Sequence, residues 1–219
     1  MTALPKQYVE GMVNFFGYEL FVTPDVLIPR FETEILVEEA IFILDGFNGR
    51  GRIDILDLGT GSGNIAISLA REVKKTKITA SDISDAALEI AAKNAQLNGV
   101  LQRIEFVKSD LFANISGYFD MIAANPPYVA SEEFGLLDPE VLSEPKAALD
   151  GGPGGLTLLR KIIEDAPVYL KTGGYLLVEI GYDQADAVVD IVNSSELDLV
   201  EVKKDYAGID RVLIAKNNG

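Results

Sequence analysis

Residues 53–69 read IDILDLGTGSGNIAISL, and no other stretch limits the fold of this chain so closely. Ile53, Ile55, Leu56 and Leu58 form a short, dense apolar run, as expected of a strand buried on both faces of a parallel sheet. The run breaks at Gly59-Thr60-Gly61-Ser62-Gly63, and helical apolar spacing resumes at Ile65, Ala66, Leu69 and Ala70. A strand that turns through glycines into a helix leaves backbone N–H groups aimed at the loop, with no Cβ in a ligand's way. Such a loop suits a nucleotide-like ligand; the alternative is a glycine turn that serves only helix–sheet packing.

The spacing narrows the ligand. A dinucleotide fold prefers G-x-G-x-x-G, whereas the order here is G-x-G-x-G followed by Asn64. Asp57 precedes the loop and brings a carboxylate to the strand end. A carboxylate favours a cation over a pyrophosphate, so S-adenosylmethionine, with its ammonium and sulfonium and no phosphate, fits better than NAD.

With 219 residues, 48% of them hydrophobic, the chain can bury one domain and carry a small appendage. It has no cysteine and no histidine. Disulfides, thiolate or imidazole metal sites and Ser-His or Cys-His catalytic pairs are therefore excluded. The N-terminus lacks the pattern of a signal peptide, and no apolar run approaches membrane-spanning length. The cytoplasm is the default location. The net charge of −15, from 34 acidic and 19 basic residues, disfavours a phosphate backbone as partner.

In chain order, residues 1–13 read as a linker remnant, with Tyr8, Val9 and Met12 at helical spacing. Residues 14–30 predict a β-hairpin, with strands at 14–22 and 26–28 and a turn at Thr23-Pro24-Asp25. A methyltransferase-like unit is expected over 31–219. It opens with a helix that Thr33 is placed to cap and that ends in a loop at 46–51. A second strand, 77–82, ends in Asp82, which lies 19 residues beyond Gly63, near the spacing of a ribose-binding carboxylate. Ser84 is expected to cap a helix over 85–97. Strands follow at 104–107, leading to Asp110-Leu111, and at 118–124, leading to Asn125-Pro126-Pro127-Tyr128. Several strands thus end in polar residues on one side, where open α/β sheets bind ligands. A long connection over 129–155 precedes a helix at 156–170, a strand at 174–180 and a helix at 183–193. Strands at 197–203 and 211–215 close the chain as an antiparallel edge pair.

Asn125-Pro126-Pro127-Tyr128 is the most specific signal for chemistry. The prolines stiffen the turn and remove N–H donors, leaving carbonyl oxygens. With the Asn125 side-chain carbonyl they can accept both hydrogens of a planar –NH2 group, and the Tyr128 ring can lie against its face. An amide or exocyclic amine is a weak nucleophile, and such acceptors hold it and favour the charge that develops on attack. No strong base is needed.

These motifs together resemble the bacterial release factor glutamine methyltransferase family. The matching stretches are Val26–Glu34 (VLIPRFETE), Asp57–Gly63, Asp82-Ile83-Ser84 and Asn125–Val129. Glu144-Pro145, Gly151-Gly152, Gly155-Leu156 and Asp210-Arg211-Val212 continue the match. The resemblance implies a class I S-adenosylmethionine-dependent fold: α/β, Rossmann-like, with seven strands and the last antiparallel. It also implies methylation of the glutamine side-chain amide in a release factor's Gly-Gly-Gln motif. Asp57 and the loop Gly59, Thr60, Gly61, Ser62 and Gly63 would then meet the methionine end, Asp82 and Ile83 the ribose, and Asp110 and Leu111 the adenine. Asn125, Pro126, Pro127 and Tyr128 would hold the substrate amide, and Arg30, Thr33 and Glu34 would stand at the mouth. The family carries an N-terminal helical docking domain, so this chain is expected to be a catalytic-domain piece or a short natural form. Gly154 stands where the family has Asp. The alternatives are amine methylation of nucleic acid, methylation of a ribosomal-protein glutamine, and a cofactor-binding scaffold without catalysis.

Overall fold

The computed structural model describes residues 4–47 and 51–219. Residues 1–3 of the expected linker and 48–50 of the expected loop lie outside them. Helix α1 (Lys6–Glu10) leads into a hairpin of β1 (Met12–Phe15) and β2 (Tyr18–Phe21). Then come α2 (Glu32–Asp45), β3 (Ile53–Leu58), α3 (Asn64–Glu72), β4 (Thr76–Asp82), α4 (Asp85–Leu97), β5 (Ile104–Lys108) and β6 (Phe119–Ala124). Four short 3-10 turns occupy the connection after β6. They are followed by α5 (Thr157–Tyr169), β7 (Leu170–Glu179), α6 (Ala185–Asn193), β8 (Asp198–Lys204) and β9 (Asp210–Lys216).

The seven strands from β3 onward form one sheet in the order β5-β4-β3-β6-β7-β9-β8. β9 is antiparallel to both its neighbours. Strand alternation divides the core in two. Ile53 and Ile55 of β3 pack with α2 and α3, while Leu56 and Leu58 face the layer that holds α5 and α6. The strand order reverses between β3 and β6, so their carboxyl ends open the crevice in which α/β sheets bind ligands.

The hairpin precedes the sheet as expected, but its reversal is at Phe16-Gly17, where Phe15 pairs with Tyr18. Both loop residues have positive φ, +51° and +80°, as a two-residue turn matching strand twist requires. Residues 26–28, read as the second strand, form none. Pro24 and Pro29 remove donors on either side, and the Ile28 N–H donates to the Glu144 carboxylate at 3.0 Å. Thr23-Pro24-Asp25 is still a turn, closed by Val26 N–H to Thr23 O at 3.1 Å. Residues 12 and 13, assigned to the linker, belong to β1. Tyr8, Val22, Val26 and Ile28 form a small third cluster with Ala87 and Ile90 of α4, which fixes this N-terminal unit beside the glycine loop. Ser84 caps α4 as expected, accepting from Ala87 N–H at 3.2 Å.

Candidate active site

A cavity of about 420 Å³ opens at the carboxyl ends of β3, β4 and β6. Gly59, Thr60, Gly61, Ser62, Asp82, Ile83, Asp110, Leu111, Asn125 and Pro127 line it, together with Arg30 and Thr33. Gly59 and Gly61 have φ of +69° and +53°, and no atom lies in bonding-radius reach of where a Cβ would stand, so their backbone is bare toward the cavity. Asp82 holds the loop's shape. Its Oδ2 accepts from Gly61 N–H at 2.9 Å and its Oδ1 from Ser84 N–H at 2.9 Å. The lining carboxylates are Asp25, Asp82 and Asp110. Arg30, the one guanidinium in the wall among the described residues, is ion-paired with the buried Glu144.

Five expected site residues stand outside the lining. Asp57 is fully buried beneath the loop, where its Oδ2 accepts from Thr60 Oγ1 at 2.6 Å and Ala66 N–H at 3.2 Å. Burial pushes its carboxyl up to about 7, against the lowering effect of those two donors. Among the described residues its Oδ1 has no hydrogen-bond partner. Gly63 serves packing: a Cβ there would meet Ile67 Cδ1 at 3.0 Å and Ala91 Cβ at 3.2 Å. Glu34 accepts from Phe16 N–H at 2.7 Å and so anchors the hairpin. Pro126 is buried. Tyr128 lies outside the cavity wall, and its hydroxyl donates to Glu179 Oε1 at 3.3 Å. Burial and that neighbouring carboxylate both raise the Tyr128 phenol far above its ordinary value.

Thr33 does not cap α2. It lies inside the helix, fully buried, and donates from Oγ1 to Glu179 Oε2 at 2.6 Å. Asn125 Nδ2 donates in turn to Thr33 Oγ1 at 2.9 Å. Glu179 ends β7 and is buried among apolar strands, which pushes its carboxyl up to about 7 despite Thr33, Arg211 and Tyr128.

Other groups that support the site have no local sequence signature. Asn94 of α4 donates to Ser62 O at 2.8 Å and Phe21 O at 3.0 Å, tying glycine loop to hairpin. Gln184 donates to Tyr128 O at 3.0 Å. The glycines at 151 and 155 explain their own presence. A Cβ on Gly151 would stand 2.8 Å from Pro127 O and from Tyr128 Cα, and one on Gly155 would collide with Tyr128 O. Backbone presses on backbone there and seats the Asn-Pro-Pro-Tyr turn. Gly154, by contrast, has open space about it at φ +62°.

Residues 40–155 match the family model of the methyltransferase small domain. The release factor glutamine methyltransferase of Agrobacterium fabrum is 43% identical over 211 residues, covering 95% of this chain and 73% of that protein. Its counterpart in Fusobacterium nucleatum is 40% identical over 97% of this chain and 60% of its own length. That of Moorella thermoacetica is 41% identical over 96% and 74%. Among solved structures, a methyltransferase from Pyrococcus furiosus superposes with a TM-score of 0.65 at 20% identity, covering 93% of this chain and 91% of that one. A magnesium protoporphyrin IX methyltransferase from Synechocystis with bound SAM gives 0.58 at 14%, over 85% and 80%. These two structures share the fold. Identity near 40% along almost the whole chain, with the glycine loop and the Asn125–Tyr128 turn opening on one crevice, places this chain in the release factor glutamine methyltransferase family.

Proposed function

We propose that this chain transfers a methyl group from S-adenosylmethionine to the side-chain amide nitrogen of the glutamine in the Gly-Gly-Gln motif of peptide chain release factors. The observation that carries the reading is the juxtaposition in one cavity of a bare glycine loop, Asp82 and the Asn125–Pro127 turn. The names of the relatives support the release factor as acceptor. We assign the catalytic unit to residues 31–219, with α1 and the hairpin as an appendage. Among the described residues, no helix is long and apolar enough to cross a membrane.

The residues present fit the cofactor. Among the described residues, three carboxylates line the cavity against one guanidinium already paired with Glu144, which suits a cation and opposes a pyrophosphate. Each Asp82 oxygen accepts one backbone N–H and keeps a lone pair, so the pair can receive two vicinal ribose hydroxyls. The half-exposed Ile83 and the side chain of Leu111 offer apolar surface for a base. Among the described residues, the buried Ser62 Oγ of the same loop has no hydrogen-bond partner.

When bound, S-adenosylmethionine supplies an electrophilic methyl group on a sulfonium. The chain's part is to orient the acceptor. Asn125 Oδ1 accepts an N–H of the substrate amide and holds the nitrogen while positive charge develops on it. The methylated nitrogen sheds its proton to water, in keeping with a chain that has no histidine or cysteine.

The test offers labelled S-adenosylmethionine with a release factor, a ribosomal protein and an oligonucleotide side by side. Label is expected on the release factor alone, and its loss when the motif glutamine becomes alanine. Label on the oligonucleotide, or on a release factor lacking that glutamine, would refute the reading.

A further inference from the structure

Glu179 is a carboxylate that follows the apolar run Tyr175–Val178 at the end of β7 and is 0% exposed. It faces Thr33 and Glu32 from α2, Tyr128 from the turn after β6, and Arg211 from β9. Arg211 is itself paired with Asp205 at 3.3 Å and donates to Ile180 O. Glu179 therefore has two hydroxyl partners and a cation that is shared elsewhere.

The hydrogen bonds have a direction. An ionised carboxylate only accepts, so Thr33 must give its single hydroxyl hydrogen to Glu179. The Thr33 oxygen then offers only lone pairs to its other neighbour, and that neighbour must be the donating end of the Asn125 amide. Because an amide is planar and two-ended, committing Nδ2 to Thr33 commits Oδ1 to the opposite side. Among the described residues Oδ1 takes no hydrogen bond, in a side chain that lines the cavity.

We infer that Thr33 and Glu179 are positioning residues for methyl transfer: the chain Glu179–Thr33–Asn125 sets the Asn125 amide with its acceptor toward the substrate nitrogen. This rests on the function proposed above. With Glu179 protonated, its hydroxyl can donate to Thr33, and Thr33 is freed to donate to Asn125 Oδ1. The amide then has no preferred orientation, and its NH2 end can face the substrate's own NH2.

Two measurements test this. The first is the 15N–1H signal of the Asn125 carboxamide, assigned by its disappearance in Asn125→Ala and followed from pH 5.5 to 8.5 without any substrate. It is expected to titrate in the wild type, to stop titrating in Glu179→Gln, and to shift in Thr33→Val. The second is steady-state methylation of a full-length release factor. Thr33→Val is expected to lower kcat by between about tenfold and a hundredfold, the usual cost of misplacing a reacting group. KM for both substrates should stay within about twofold, Thr33→Ser should restore most of the turnover, and Glu179→Gln should flatten the rise of kcat between pH 6 and 8. An Asn125 signal indifferent to pH and to Thr33→Val, or Thr33→Val turning over at the wild-type rate, would overturn the inference. Wild-type protein inactive on the release factor would instead overturn the proposed function and the relay's place in it, and the spectra would still tell that failure from a relay that does not exist.

Discussion

Replacing Glu179 by glutamine should make the protein more stable in mild alkali while slowing it. In the folded chain burial lifts this carboxyl from 4.5 to about 7. The folded state thus holds the proton more tightly than the unfolded one, so the stability is fully present below about pH 4.5 and is lost as pH rises through 7. At 1.36 kcal/mol per pH unit the full loss is roughly 3 kcal/mol, of which about 2 to 3 falls between pH 5 and 8.5. Glutamine keeps the shape but offers one acceptor oxygen where the carboxylate has two, so its NH2 end meets either Thr33 or Tyr128; it never ionises and so escapes that loss. Asp57, also lifted to about 7, keeps its own pH dependence in both proteins and cancels in the comparison. The assay is urea unfolding of wild type and Glu179→Gln at pH 5 and 8.5. The variant should gain about 2 to 3 kcal/mol on the wild type between the two, or about 4–12 °C in midpoint for a domain of this size. A stability difference that is the same at both pH values would show that Glu179 is not held protonated by burial and would refute the reasoning.

Asn125→Ala should lower kcat by about a hundredfold or more, with cofactor affinity changed far less, because the lost acceptor acts where charge develops. Single-turnover methylation beside calorimetry of S-adenosylmethionine checks this, and Asn125→Asp should retain partial activity. Asp82→Ala should weaken S-adenosylmethionine binding by roughly 1.5–3 kcal/mol, measured by the same calorimetry, while NAD binds neither protein. Gly155→Ala should both destabilise the fold, by about 1–3 kcal/mol from overpacking, and reduce turnover, since the new methyl must push the Tyr128 carbonyl and with it the Asn125 turn. Thermal unfolding and kcat, measured together, would contradict this if either stayed at the wild-type value.

Local chemistry was readable from the order of residues. The strand–glycine–helix unit, the helix at 85–97 with its Ser84 cap, and the stiff Asn125–Tyr128 turn each depend on groups a few residues apart. Apolar period, capping and glycine or proline backbone limits act at that range, so the cavity's floor was legible. Rules of the same range misplaced Thr33 as a helix cap. Its hydroxyl is claimed by Glu179, 146 residues away. They also misplaced the hairpin turn, because Phe16 accepts a left-handed conformation that sequence preference assigns to other residues. Asp57 read as a ligand group and proved a buried brace, which depends on how deep β3 sits in the sheet. Glu144, Asn94 and Gln184 reach partners 116, 73 and 56 residues distant. Glu179 left one trace in the sequence, a lone acid closing the apolar run GYLLVEI. What the trace could not say is which groups meet it, because burial of a charge is settled only when separate strands and helices close around it, and its partners are then chosen by space and not by order.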